Sequence, residues 1–217
     1  MRESLSRAAV VDAARELLMQ DGLGGLSLRR LASRLDVTAA ALYAYVDNKR
    51  DLLEAVIETE FTRLIAEFQR YEHGDPITRM CNMSWAYVNY AQENPRVFRT
   101  MFMFRAQLST DPTGNDFAMA TQAFTAARKP LADAIEQGLL RKGDPLMTHL
   151  TIWTAVHGVA TVLLLGPDLG ARGAEELTKS LIFAVIRGLC TEKGIALLDQ
   201  VKLPPTPSTP AIATPAV

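Results

Sequence analysis

The segment from Leu26 to Leu53, LSLRRLASRLDVTAAALYAYVDNKRDLL, constrains the fold of this chain more than any other. It holds two very short helical patterns, Leu28 to Leu35 and a second reaching about Tyr45, preceded by the capping residues Ser27 and Thr38. Helices of roughly eight residues are not stable alone in water, so both must pack on longer neighbours. Such neighbours flank them. Upstream, Ser6 to Gln20 carries one apolar stripe (Ala9, Val10, Ala13, Ala14, Leu17, Leu18), opens on Ser6 as N-cap and ends at Asp21-Gly22. Downstream, a helix opening at Asp47 or Asn48 buries Leu52, Leu53, Val56, Ile57, Phe61, Leu64, Ile65 and Phe68. Leu31, Leu35, Val37 and Leu42 turn the short pair inward, and Asp36 stands at the turn, where a left-handed conformation is tolerable.

This packing leaves the second short helix free to enter a major groove. It exposes Thr38, Ala39, Ala40, Tyr43, Ala44 and Tyr45. The phenolic hydroxyls of Tyr43 and Tyr45 suit phosphates. Lys49 adds a charge to the amides at a helix N-terminus, and Ser27 offers the same at the preceding one. Arg29 is the candidate for a bidentate guanine contact. Ala39 and Ala40 carry no hydrogen-bonding group, so they read thymine methyls or permit close approach. From Ser27 to Arg50 the charges are Arg29, Arg30, Arg34, Lys49 and Arg50 against Asp36 and Asp47, and Arg2 and Arg7 can add to that face. The whole chain has a formal net charge of −1, which excludes a general polyanion binder and puts DNA affinity on this patch.

The remainder is helical in period throughout, with no alternating strand pattern. The expected fold is all-α: a three-helix helix-turn-helix head joined to a helical ligand-binding and dimerisation body, about nine helices in all. The expected boundaries are residues 1–50 for the head, with a linking helix to about 70, residues 71–194 for the body, and 195–217 for a disordered proline-rich tail. The break falls at His73-Gly74-Asp75-Pro76, and the sequence PPTPSTPAIATPAV from Pro204 lacks the apolar bulk to fold. A helix from about Ile77 to Asn94 is followed by a short one opened by Pro95 and a polar loop over Ser109 to Asn115. A segment kinked near Pro130 comes next, then an apolar helix opened by Asp144-Pro145 and a last one from Ala174 to about Glu192.

The head resembles the N-terminal domain of the TetR family of bacterial repressors, from Ser6 to about Ile57. It is most similar to the tetracycline-repressor type, which carries LYxHVxNKxxLL where this chain has LYAYVDNKRDLL. The resemblance places Ser27, Arg29, Thr38, Ala39, Ala40, Tyr43, Tyr45 and Lys49 at DNA-contact positions. Asp36 departs from the family's turn glycine. The body stretches NPRVFRTMF and WTAVHG resemble a C-terminal domain of TetR-type regulators, in which a small molecule binds and the helices then pivot the heads out of operator register.

In the body, Tyr87 to Phe104 is rich in rings and methionines, a composition suited to an apolar ligand. Tyr87, Phe98, Met101, Phe102, Phe124, Trp153 and His157 are the candidate ligand-binding residues, although such side chains also make ordinary core. Spacing does not tell whether His157 faces the ligand or another subunit. The helix containing Leu150, Ile152, Trp153, Val156, Val159, Ala160, Val162, Leu163 and Leu164 is apolar nearly all round and must be buried widely. Pairing two copies of it and of the last helix across a two-fold axis does so, with Gly158 and Gly188 allowing close approach.

The reading that follows is a ligand-responsive transcriptional repressor. It binds a palindromic double-stranded operator as a homodimer and is released by a small apolar or aromatic effector. One alternative is a DNA-binding regulator without an effector, separable by whether the body encloses at least about 300 Å³. Another is an all-α enzyme. No metal-ligand spacing, nucleophile elbow or phosphate-binding glycine loop supports the last, so no catalytic residue, metal or cofactor is expected. His149 and His157 lie eight apart but have no carboxylate on their helix. Cys81 and Cys190 read as two core thiols of a cytoplasmic protein. Charged residues interrupt any N-terminal leader, and the longest apolar run, Val159 to Gly166, is too short to cross a bilayer, so no membrane association is expected.

Overall fold

The computed structural model describes residues 5–103 and 118–205. Ten helices and no β-strand occur among them. The expected loop over 109–115 and most of the proline-rich tail, 206–217, lie outside the described residues, as does Arg2. Two compact units divide the chain, one drawn from Met1–Arg63 and Asn94–Ala123, the other from Leu64–Glu93 and Phe124–Val217. The segment Asn94–Ala123 therefore groups with the N-terminal helices, whereas the composition break at 73–76 suggests that it belongs to the body.

The first unit begins with α1 (Arg7–Gly25), capped by Ser6, whose hydroxyl accepts from the Ala9 amide at 3.1 Å. Gly22 interrupts the helix at φ 69°, ψ −173°, a conformation that suits glycine, so regular helix stops where Asp21-Gly22 predicts. Then come α2 (Leu28–Arg34), α3 (Ala39–Leu42), most of α4 (Lys49–Gln69) and α6 (Pro95–Met103). Leu26, Leu31, Ala32, Leu42 and Val46 fill the space under the short pair. Leu35 and Val37 are only half-buried.

Below them Glu60 is wholly buried and accepts from Arg15 Nε at 2.7 Å and from Arg63 at 3.0 Å. Arg15 also donates to Asn94 Oδ1 at 2.6 Å. A carboxylate taken out of water needs this compensation, and supplying it ties α1, α4 and the start of α6 together. Arg96 of α6 donates to the carbonyls of Met19 and Gln20, placing a cation at the end of α1's regular helix.

The second unit contains α5 (Pro76–Glu93), most of α7 (Ala118–Glu136), α8 (Pro145–Leu165), α9 (Gly170–Leu189) and α10 (Glu192–Leu198). Asp144 caps α8 as predicted, accepting from the Leu146 and Met147 amides. Ile77, Cys81, Trp85, Leu131, Ile182, Ile186 and Cys190 are among the residues of its core, and both cysteines are unpaired and buried. Arg79 reaches Asp133 at 2.7 Å, joining α5 to α7.

Two expectations need correction here. Residues from 195 were assigned to a disordered tail, but α10 extends to Leu198, which is 1% exposed, and Val201 and Leu203 pack on the core. Gly194 makes this possible, because a Cβ there would stand 2.1 Å from the Leu139 carbonyl oxygen. The longest-run argument also understated α8. At 21 residues it is long and apolar enough to cross a membrane by length and composition alone. Within the unit it packs between α5 and α9 through Val156, Val159 and Ala160.

Candidate nucleic-acid interface and effector-binding residues

α2 and α3 owe their positions to their caps. Ser27 accepts from the Arg30 amide and Thr38 from the Ala41 amide, each at 3.2 Å, which leaves both hydroxyl protons available to an outside acceptor. Asp36 adopts φ 55°, as predicted for the turn. The outer face then presents Arg29, Thr38, Ala39, Ala40, Tyr43 and Ala44, all exposed, with Tyr43 58% exposed.

The electrostatics of this face differ from a count along the segment. Arg30 pairs with Asp21, Arg34 with Glu16, and Arg50 with Glu54. These three acids lie outside residues 27–50 and equal in number the excess of three positive charges read there. Arg7 is likewise committed, chelating Asp51 at 2.8 and 3.3 Å and donating to the Tyr45 carbonyl. That hydrogen bond holds the Asp51 carboxyl below the usual carboxylate range and raises the Arg7 guanidinium. Arg29 has no hydrogen bond or ion pair among the described residues, and Lys49 has only a 3.3 Å contact to the Leu23 carbonyl. These two are the uncommitted cations of the surface.

Two expected contacts change character. The Tyr45 hydroxyl donates to the Leu5 carbonyl at 2.9 Å, so its proton is spent inside the chain and Tyr43 alone keeps a free phenol. At α4, Asn48 Oδ1 accepts from the Arg50 and Asp51 amides at 2.8 and 3.1 Å, while Asp51 accepts from the Asp47 amide. The helix N-terminus is thus already capped, and Lys49 acts through its charge.

The candidate ligand-binding residues gather in three places. Tyr87, Trp153 and His157 lie together in the second unit. The Tyr87 hydroxyl and His157 Nδ1 lie 2.8 Å apart, and Trp153 stacks on His157 with centroids 5.1 Å apart. Burial pushes the Tyr87 phenol up, a hydrogen bond from Trp153 acts the other way, and burial pushes His157 down. His157 therefore faces α5. Phe124 stands edge-on to His149 at 4.2 Å. In the first unit, Phe98 and Phe102 lie 4.7 Å apart, Phe102 meets Phe61, and Met101 is fully buried.

Residues 10–56 match the model for bacterial regulatory proteins of the tetR family, and residues 80–185 match the model for the tetracyclin repressor-like C-terminal domain. An HTH-type transcriptional regulator of Saccharopolyspora erythraea is 42% identical over 180 residues, 79% of this chain and 72% of that protein. The chain belongs to the tetR family of bacterial regulatory proteins. It is a helix-turn-helix transcriptional regulator. The class D tetracycline repressor of Escherichia coli is 48% identical over 52 residues, 24% of each chain, so this tetR-family member matches only a quarter of that repressor's length. A solved Rhodococcus protein of unknown function shares the fold with a TM-score of 0.74 at 25% identity, covering 88% of this chain and 98% of that one.

Sequence reasoning missed the Arg7–Asp51 clamp and the Glu60 network. Both join residues 44 or more positions apart, and no local pattern marks them. The one available signal was Glu60 itself, an acid on the apolar side of α4 between Ile57, Phe61 and Leu64.

Proposed function

We propose that this tetR-family regulator is a repressor that binds a palindromic operator as a homodimer in the cytoplasm and leaves it when a small apolar or aromatic effector binds the body. The observation that carries the reading is the outer face of α3. Small alanines sit at its centre, and the free hydroxyl-bearing Thr38 and Tyr43 and the uncommitted cations Arg29 and Lys49 belong to the same head. Ser27, Thr38, Tyr43 and Lys49 hold phosphates, Ala39 and Ala40 lie against bases, and Arg29 reads a guanine. Tyr45 supports this surface from within.

The dimer is supported by α8 and α9. Only 22% of the most apolar part of α8 is buried, and Thr151, Thr154, Gly158, Val162 and Leu165 form an exposed line along it. Ala184 and Gly188 are exposed on α9, and nothing lies within 4 Å of where a Cβ would stand at Gly158 or Gly188. Two copies pairing there cover that surface and bring two heads to successive half-sites.

The test selects bound sequences from random DNA and measures mass in solution. The expected result is a dimer selecting an inverted repeat. Arg29→Ala should lose preference at one base position in each half-site, with about 1–3 kcal/mol of discrimination removed there. A monomer at micromolar concentration, or an unchanged motif for Arg29→Ala, refutes the corresponding part. Effector response is tested by screening a broad compound library for operator release accompanied by a raised melting temperature.

A further inference from the structure

His149 of α8 is 5% exposed, and its Nε2 is buried with no hydrogen-bond partner. A buried polar atom left unpaired is costly, because its bond to water is lost and nothing replaces it. Leucine at this position of so apolar a helix would avoid that cost. His157, two turns along α8, does not relieve it, since its Nδ1 is paired with the Tyr87 hydroxyl of α5.

One neighbour of His149 comes from α7. Phe124 presses its ring edge-on against the imidazole. Arg128, one turn further along α7 and on the same face as Phe124, is half-buried and close enough for its charge to act on His149. Arg128 has no ion pair or hydrogen bond among the described residues, whereas Arg79, the other arginine of this unit that is not exposed, pairs with Asp133. Burial, with the charge of Arg128, pushes His149 down to about 4, so it is neutral at pH 7.

We infer that Arg128 and His149 form the anion-holding end of the effector site and that the effector is an organic acid, its carboxylate between these two donors and its apolar body against Phe124. The inference rests on the effector-responsive reading and adds the ligand's charge to it. A guanidinium only donates, and it matches a carboxylate in planar, two-point geometry. A neutral imidazole that donates through Nε2 completes the acceptor's set, and the carboxylate selects that tautomer. A cation would meet Arg128 repulsively. No cluster of three metal-ligating residues occurs among the described residues to hold a metal instead.

The test uses 1-naphthoate and its uncharged analogue 1-naphthamide on the full chain, reading melting temperature without DNA and release of the selected operator. The expected result is that 1-naphthoate acts at concentrations at least tenfold lower than the amide. Arg128→Gln should reduce that preference to within threefold while leaving the free protein's melting temperature unchanged. His149→Leu should weaken naphthoate at least tenfold. If His149→Leu fails to fold, the 15N resonance of the His149 ring in the wild type is followed instead, and it must shift with naphthoate and not with the amide. Equal potency of acid and amide, a preference that survives Arg128→Gln, or no response to either compound overturns the inference. If a library compound still releases the operator, the effector-responsive reading stands and only the organic-acid assignment falls. If none does, both fall.

Discussion

Replacing His149 by leucine should make the free protein less sensitive to acid, and the size of the change follows from where the imidazole sits. In the folded chain burial, aided by Arg128, pushes His149 from 6.5 down to about 4. The unfolded chain takes up a proton near pH 6.5 that the folded chain refuses until about pH 4. Stability is therefore complete above pH 6.5, falls as pH drops through that window, and has been lost in full near pH 4. The gap corresponds to about 3 kcal/mol at 1.36 kcal/mol per pH unit, of which roughly 2 to 2.5 kcal/mol falls between pH 7.5 and pH 4.5. Urea midpoints for wild type and His149→Leu at pH 7.5 and pH 4.5 measure it. Carboxylates titrate in both proteins and cancel in the comparison. The wild type should lose about 2 kcal/mol more than the variant between the two pH values, and at pH 7.5 the variant should be at least as stable. Equal losses would mean that His149 is protonated or solvated in the fold, and the reasoning would fail.

Other substitutions separate structural from DNA-facing roles. Tyr45→Phe removes the hydrogen bond to the Leu5 carbonyl and should cost about 1 kcal/mol of stability in denaturant melts, with operator affinity unchanged well below the melting temperature. Tyr43→Phe should do the reverse, weakening binding by about 1 kcal/mol in a fluorescence titration with no change in melting. Gly194→Ala drives a Cβ toward the Leu139 carbonyl and should destabilise by about 1–3 kcal/mol in the same melts.

The parts of the fold legible in the sequence are those governed by neighbours along the chain. Ser6, Ser27, Thr38 and Asp144 cap the helices they were assigned to, and Asp36 takes the left-handed turn, because a cap involves only the next three residues. The surface charge was not legible. Glu16, Asp21 and Glu54 reach α2 and α4 side chains that a window over 27–50 treats as free, so the segment appears more basic than the folded face is. The end of the chain was misread for a related reason. Composition from Pro204 suggests disorder, but Gly194, Leu198 and Leu203 are held by contacts with Leu139 and the α5–α9 core, which lie well away in sequence. In the body, rings announced packing without saying which polar atom would be left over. His157 was the natural choice, yet it is paired with Tyr87, and the histidine with a buried, unpaired nitrogen among the described residues is His149.

The same pairing predicts how steeply DNA binding should weaken with salt. Each phosphate neutralised releases counterions, and the logarithm of affinity falls with the logarithm of salt at about 0.9 per neutralised phosphate. A count of basic residues from 27 to 50 gives five cations per head, yet only Arg29 and Lys49 are uncommitted. Opening Arg30–Asp21, Arg34–Glu16 or Arg50–Glu54 to reach DNA would leave a bare carboxylate beside the phosphates, which offsets the gain. A dimer should therefore show a slope of about −3.5, before any contribution from Arg2. Lys49→Ala should flatten it by about 2, since the change occurs in both subunits. Affinity measured by anisotropy across a range of potassium chloride concentrations supplies both numbers. A wild-type slope near −9 would show that the paired arginines exchange their carboxylates for phosphates on binding, and the division into committed and uncommitted cations would have to be abandoned.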